Sequence, residues 1–119
     1  GFVQPDTFRR LMGGALALVF PSLDEGFGLP IVEAMHTDTP VLTSNLSAMP
    51  EVAGDAALLV NPTDTGAIAE GLERLYGDAG LRAELVARGR KRREQFSWDT
   101  TAQKLYEVLS ELAARQTRR

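Results

Sequence analysis

Glu25 and Glu33 stand eight residues apart on either side of a glycine-containing turn, in the stretch Asp24-Glu25-Gly26-Phe27-Gly28-Leu29-Pro30-Ile31-Val32-Glu33. A carboxylate is a poor phosphate ligand but a good hydrogen-bond acceptor, and its two oxygens can take both donors of a vicinal diol. Sugars and riboses present such diols. Gly26 and Gly28 lack Cβ atoms, so a ligand can lie directly against the main chain there. The first N–H groups of a helix that follows the turn point the same way and favour a phosphate or another electron-rich group. Glu25 and Glu33 could thus grip two separate polyols with a phosphate-bearing linker between them, the layout of a nucleotide-sugar. The plain alternative stays open for each residue alone. A Gly-x-Gly turn before a helix is common and mostly structural, and Glu near a helix N-terminus is favoured without any ligand.

The flanking elements must present this loop. Ala15 to Phe20 reads Ala-Leu-Ala-Leu-Val-Phe and is closed by Pro21-Ser22, as expected for a strand, placed at Leu16 to Phe20, buried on both faces of a parallel sheet. Pro30 is acceptable at the first helical position, and Glu33-Ala34-Met35 continues with good helix formers, so the motif helix is predicted from Pro30 to about His36 with Glu33 on its first turn. The unit is strand, loop, helix.

Along the rest of the chain strands and helices alternate, which defines an α/β fold. Phe2-Val3 could be the tail of a strand, and Asp6 to Met12 a short helix ended by Gly13-Gly14. A strand is expected at Val41 to Thr43, a single helical turn around Ala48 to Val52, and a third strand at Ala57 to Val60, closed by Asn61-Pro62. Three helices follow. One starts near Asp64 with Ile68, Leu72, Leu75 and Tyr76 inward, and the next runs from about Ala79 with Leu81, Leu85 and Val86. Ser97 can cap the third, whose Ala102, Leu105, Tyr106, Leu109 and Leu112 form an apolar stripe expected, with Trp98, to make core contacts.

Pro21-Ser22-Leu23-Asp24-Glu25-Gly26-Phe27-Gly28-Leu29-Pro30, followed by Glu33-Ala34-Met35, resembles the signature of the family-four (group-one) glycosyltransferases, retaining enzymes of the GT-B architecture. The likeness continues through Pro40 to Ser44, Met49 to Val60 and Phe96-Ser97-Trp98, and so covers nearly the whole chain. It implies that Glu25 contacts the donor sugar and takes part in catalysis, while Glu33 holds the nucleotide's ribose. It also implies that amides of Gly26, Phe27, Gly28 and Leu29 touch the sugar hydroxyls or diphosphate. The donor would be a nucleotide-diphosphate-sugar and the acceptor an unidentified hydroxyl, with no cofactor.

Strands 3-2-1-4-5-6 are the usual order of a doubly wound Rossmann-like sheet, and three strands plus a stub look like its second half, completed here by the three C-terminal helices. Residues 1–119 are therefore expected to form part of a C-terminal donor-binding domain, with the acceptor domain and the first half of this domain absent. The chain has no initiator Met, which suggests a fragment. The basic residues with which the family holds the diphosphate fall in the missing part, so the isolated chain is expected to be inactive. The first strand would leave a flat apolar edge that recruits partners, a second copy among them. The two alternative functions are a nucleotide-sugar-binding module without chemistry and a self-associating structural fragment.

Composition narrows the remainder. The 119 residues carry 44% hydrophobic and 24% charged residues, ordinary for one globular unit, and a net charge of -3 argues against nucleic acid. The absence of cysteine excludes disulfides and thiolate metal sites, and the lone His36 has no neighbours with which to hold a metal. No apolar stretch approaches the ~20 residues of a transmembrane span, and Gly1 to Pro5 is no signal peptide. A cytoplasmic location is expected. The basic run Arg88, Arg90, Lys91, Arg92 and Arg93 reads as a solvated helix end, with peripheral attachment at the inner membrane face as its alternative use. Thr43, Ser44 and Asn45 lie on the expected ligand side, where a base or ribose contact is conceivable.

Overall fold

The structure is a computed structural model that describes residues 2–116. Three parallel strands form one sheet in the order β1 (Leu18–Phe20), β2 (Val41–Ser44), β3 (Leu58–Val60). Leu18 pairs with Val41 and Phe20 with Thr43, while Leu42 pairs with Leu58 and Ser44 with Val60. The α/β expectation and three of the strands hold; Phe2-Val3 belongs to no strand.

Around the sheet stand α1 (Pro5–Gly14), α2 (Leu29–His36), α3 (Met49–Ala53), α4 (Thr65–Gly77), α5 (Ala79–Arg93) and α6 (Trp98–Gln116). Successive residues of a strand point to opposite faces, and Val41 and Leu42 accordingly fall in two separate buried clusters. One cluster joins Val41 to Met12, Ile31, Ala34, Met35, Met49 and Val52; the other joins Leu42 to Val60, Leu75 and Leu85. Helices therefore cover both faces of β2, and all four of its residues are buried.

Gly71 on α4 permits the close approach on the second face. A Cβ at this position would lie 2.5 Å from Leu42 Cδ1, so only glycine lets the helix settle onto the sheet at this separation. Asp64 and Asp78 open α4 and α5 as N-caps, accepting from the amides of Ala67 at 3.0 Å and Leu81 at 2.8 Å.

Of the α4 residues expected inward, Tyr76 is 79% exposed and Leu72 is exposed as well, and four further expectations need correction. β1 starts at Leu18 rather than Leu16, and it is the edge strand, so Val19 is 42% exposed instead of buried on both faces. α1 takes in Gly13 and Gly14 instead of ending before them. Thr39 Oγ1 donates to Met12 O at 2.8 Å and Ala15 N to Met12 O at 3.1 Å, which holds the last turn in place. α6 is capped as expected, Ser97 Oγ accepting from Thr100 N at 3.0 Å, but it buries no residue: Trp98 is 88% exposed, and Leu105, Leu109 and Leu112 of the stripe are all more than half exposed.

The fourth concerns the basic run, in which Arg88, Arg90 and Lys91 are exposed as expected but Arg92 and Arg93 are half-buried and engaged. Arg93 donates to Met35 O at 2.9 Å in the last turn of α2, and Arg92 donates to Val52 O at 3.1 Å and to Glu51 O at the end of α3. Arg82, earlier on the same helix, donates to Leu75 O at 2.6 Å and Tyr76 O at 2.9 Å in the last turn of α4. One helix thus supplies guanidinium caps to three others, whose last carbonyls have no partners within their own helices. Arg90 adds a two-pronged contact to Asp38, at 3.0 and 2.7 Å.

Candidate functional site

Parallel pairing brings the carboxyl ends of the strands to one edge of the sheet, and the loops that leave them run side by side. Phe20 and Thr43 are register partners, and Thr43 Oγ1 donates to Phe20 O at 2.8 Å, tying the two strand ends together. From β1 the chain runs through residues 21–28 into α2; from β2 it runs through residues 45–48 into α3.

The first loop is held at its acidic end. Ser22 Oγ donates to Glu25 Oε1 at 3.0 Å, which fixes one carboxylate oxygen of a half-buried side chain. Ser47, from the neighbouring loop, donates to Asp24 Oδ1 at 2.5 Å and accepts from the Glu25 amide at 3.3 Å. Ser47 is also one of two non-glycine residues with positive φ among those described, at 56°.

Beyond Glu25 the main chain is unoccupied. The amides of Gly26, Phe27, Gly28 and Leu29 find no acceptor among the described residues. Gly28 takes φ 88° as the N-cap of α2, a conformation that side-chain-bearing residues rarely adopt, and offers no side chain to compete for the helix's first donors. The free amides therefore run directly into the positive end of the helix dipole. Phe27 is braced from outside: its ring meets Phe96 edge-on, centroids 5.8 Å apart, and the Arg92 guanidinium lies 5.4 Å from the Phe96 centroid.

α2 begins at Leu29, one residue before the expected start, so Glu33 lies just past the first turn rather than on it. Its side chain is half-buried and has no hydrogen bond or ion pair among the described residues. Glu25 and Glu33 therefore sit at opposite ends of the run of free amides, and no described cation pairs with either. The site is an open surface: Gly26, Phe27 and Leu29 are exposed while Gly28 is buried. Two hollows in the surface lie elsewhere, one beside Leu58, Val60, Gly71 and Arg74, the other beside Leu16, Pro40, Arg82 and Val86. Neither glutamate lines them.

Thr43 and Ser44 are not available to a ligand. Both are buried, and Ser44 Oγ accepts from Leu46 N at 3.0 Å; only Asn45 of that trio is exposed. His36 is exposed at the end of α2, and no group of three or more His, Cys, Asp or Glu side chains gathers as a metal site among the described residues. The residues that sequence reasoning missed are Ser22, Ser47, Phe96 and Arg92. Only Ser22 carried a local signal, three positions before Glu25; Ser47 and Phe96 reach the loop from 22 or more residues away, and Arg92 stands behind Phe96.

Comparison with known proteins places the chain in a family. The family model for glycosyl transferases group 1 matches residues 1–92. The chain is 41% identical to the O-antigen chain mannosyltransferase B of Escherichia coli over 99 residues, 83% of this chain and 26% of the relative. It is 38% identical to the MMP alpha-(1->4)-mannosyltransferase of Mycolicibacterium hassiacum over 117 residues, 95% of this chain and 28% of the relative. The chain thus spans little more than a quarter of the length of these curated relatives. Among solved structures, sucrose-phosphate synthase from Thermosynechococcus elongatus superimposes with a TM-score of 0.84 at 29% identity, over 97% of this chain and 30% of that one. With the family model covering more than three-quarters of the sequence, the chain belongs to the group 1 glycosyl transferases.

Proposed function

We propose that this chain is the donor-binding part of a retaining glycosyltransferase that moves a sugar from a nucleotide-diphosphate-sugar to an acceptor hydroxyl. The observation that carries the reading is the run of four unpartnered amides, Gly26 to Leu29, bounded by one carboxylate that is oriented and one that is free. The amides suit the diphosphate and the sugar's oxygens; Glu33, without a partner, suits the ribose diol; Glu25, turned by Ser22, suits the sugar itself. The mannosyltransferases among the relatives favour mannose as the transferred sugar.

In this reading residues 1–119 form the second half of a Rossmann-like domain, and the acceptor domain and the diphosphate-binding cations belong to other parts of a longer enzyme. Losing one preorganised donor to the leaving group can cost ~3 kcal/mol of transition-state stabilisation, so the chain by itself should not transfer sugar. A cysteine-free chain suits the cytoplasm, and three of the four arginines in the basic run are engaged with main-chain carbonyls rather than free for an anionic membrane face. No helix of the described residues is long and apolar enough to cross a membrane.

Isothermal titration of the chain with UDP-glucose and GDP-mannose tests the binding reading. A signal with either that disappears in Glu33→Ala supports it, and no signal with both, or one that Glu33→Ala leaves intact, overturns it. Turnover by the purified chain would overturn the division of labour.

A second reading has its own observation. β1 pairs on one side only, and Leu16 and Val19 beside its open edge are exposed, so two copies could pair along it. A monomer by light scattering across a wide concentration range removes this reading.

A further inference from the structure

We infer that Ser47 is a positioning residue for the candidate catalytic carboxylate, and that its hydroxyl is the reason this position departs from glycine despite a backbone conformation that favours it. The inference rests on the role proposed for Glu25.

Ser47 adopts φ 56°, left-handed territory that a side-chain-bearing residue occupies at a cost. Such outliers persist where the surroundings over-determine them, and they cluster at functional sites. Here the surroundings are plain. Asn45 N donates to Val60 O at 2.9 Å, Leu46 N donates to Ser44 Oγ at 3.0 Å, and Val52 N donates to Ala48 O at 3.1 Å just beyond. Ser47 is therefore fastened on both sides, to β3 through one neighbour and to α3 through the other.

From that fixed point the hydroxyl reaches 22 and 23 residues back along the chain. It donates to Asp24 Oδ1 at 2.5 Å, accepts from Glu25 N at 3.3 Å and lies 3.1 Å from Glu25 O. Three of the polar groups of Asp24 and Glu25 thus converge on one oxygen. Ser22 then sets the Glu25 carboxylate from within the loop, at 3.0 Å. The rigid β2–α3 loop fixes the main chain of Glu25, and the loop's own serine fixes its side chain. Glycine would suit the backbone at position 47 better but could not make these bonds.

The substitution Ser47→Gly separates the two roles, because it relieves the backbone while removing the hydroxyl. In the purified chain, hydrogen exchange at the Glu25 amide should accelerate about tenfold while the melting temperature stays at or above that of the unaltered protein. Ser47→Asn, which tolerates positive φ and carries polar atoms, should return part of the protection. In the longer enzyme that carries this chain, turnover with GDP-mannose should fall about tenfold or more in Ser47→Gly, with the KM for the donor changing less. Unchanged exchange at Glu25 overturns the inference, and so does a melting temperature that falls together with protection, since the residue would then be merely structural. If exchange responds as expected but Glu25→Gln leaves turnover intact, the role proposed for Glu25 fails while the tether stands; if Glu25→Gln is inactive and Ser47→Gly turns over normally, the positioning role fails alone.

Discussion

Arg93 donates to the main-chain oxygen of Met35 at 2.9 Å, so a guanidinium from α5 closes the carboxyl end of the helix whose amino end follows the free amides. Arg93 also lies 3.4 Å from Asp38, which Arg90 grips with two hydrogen bonds. The orientation of α2, and with it of Glu33, depends on an attachment 57 or more residues away in sequence.

Arg93→Ala should therefore destabilise the chain by about 2 kcal/mol, because it removes charge-assisted hydrogen bonds to carbonyls that are otherwise without partners. Arg90→Ala, at an exposed and solvent-screened pair, should cost much less. Urea denaturation of both variants checks the contrast.

Asp38 has its carboxyl held below the usual aspartate range, chiefly by the hydrogen bond from Arg90; burial is the next largest effect and opposes it, and the charges of Arg90 and Arg93 add to the lowering. A carboxyl depressed in the folded state stabilises above its unfolded value and loses that contribution as pH falls. Stability from this pair should thus be level above about pH 5 and decline below about pH 4. Asp38→Asn should flatten that part of the profile, by less than about 1 kcal/mol since the pair is exposed. Melting temperatures measured across pH for both proteins provide the comparison.

Gly71→Ala places a methyl 2.5 Å from Leu42 Cδ1, in the best-buried part of the sheet. Leu42 or α4 must shift, and overpacking of this kind should cost about 1–3 kcal/mol. Gly77→Ala, where no atom lies within 4 Å, serves as the control and should be nearly neutral in the same thermal melt.

Phe96→Ala removes the edge-on partner of Phe27 and the ring under Arg92. A half-buried aromatic at such a junction should be worth about 2 kcal/mol, and the 26–29 loop should lose order along with it. Limited proteolysis mapped to residues 24–29 would detect the change; cleavage confined to the C-terminal helix would contradict it.

The sequence reveals most where chemistry and periodicity are local. The strand, loop and helix around Glu25 were legible because an apolar run, a Pro-Ser stop and a glycine turn follow one another directly, and the helices starting near Asp64 and Ala79 were legible from their apolar spacing. What escaped was set by distant partners. Arg88 to Arg93 looked like a solvated run because nothing in the sequence says that the ends of α2 and α3 lie beside it. Ser47 carried no local signal because its hydroxyl acts across 22 residues. The stripe on α6 has helical spacing, which tells that a face is apolar but not whether anything covers it. Leu16 fell outside β1 because an edge strand extends only as far as its single neighbour, and β2 begins at Val41.

The four main-chain donors from Gly26 to Leu29 bond to nothing else in the described protein. In the proposed reading an incoming oxyanion would displace solvent alone, with no internal hydrogen bond to rupture.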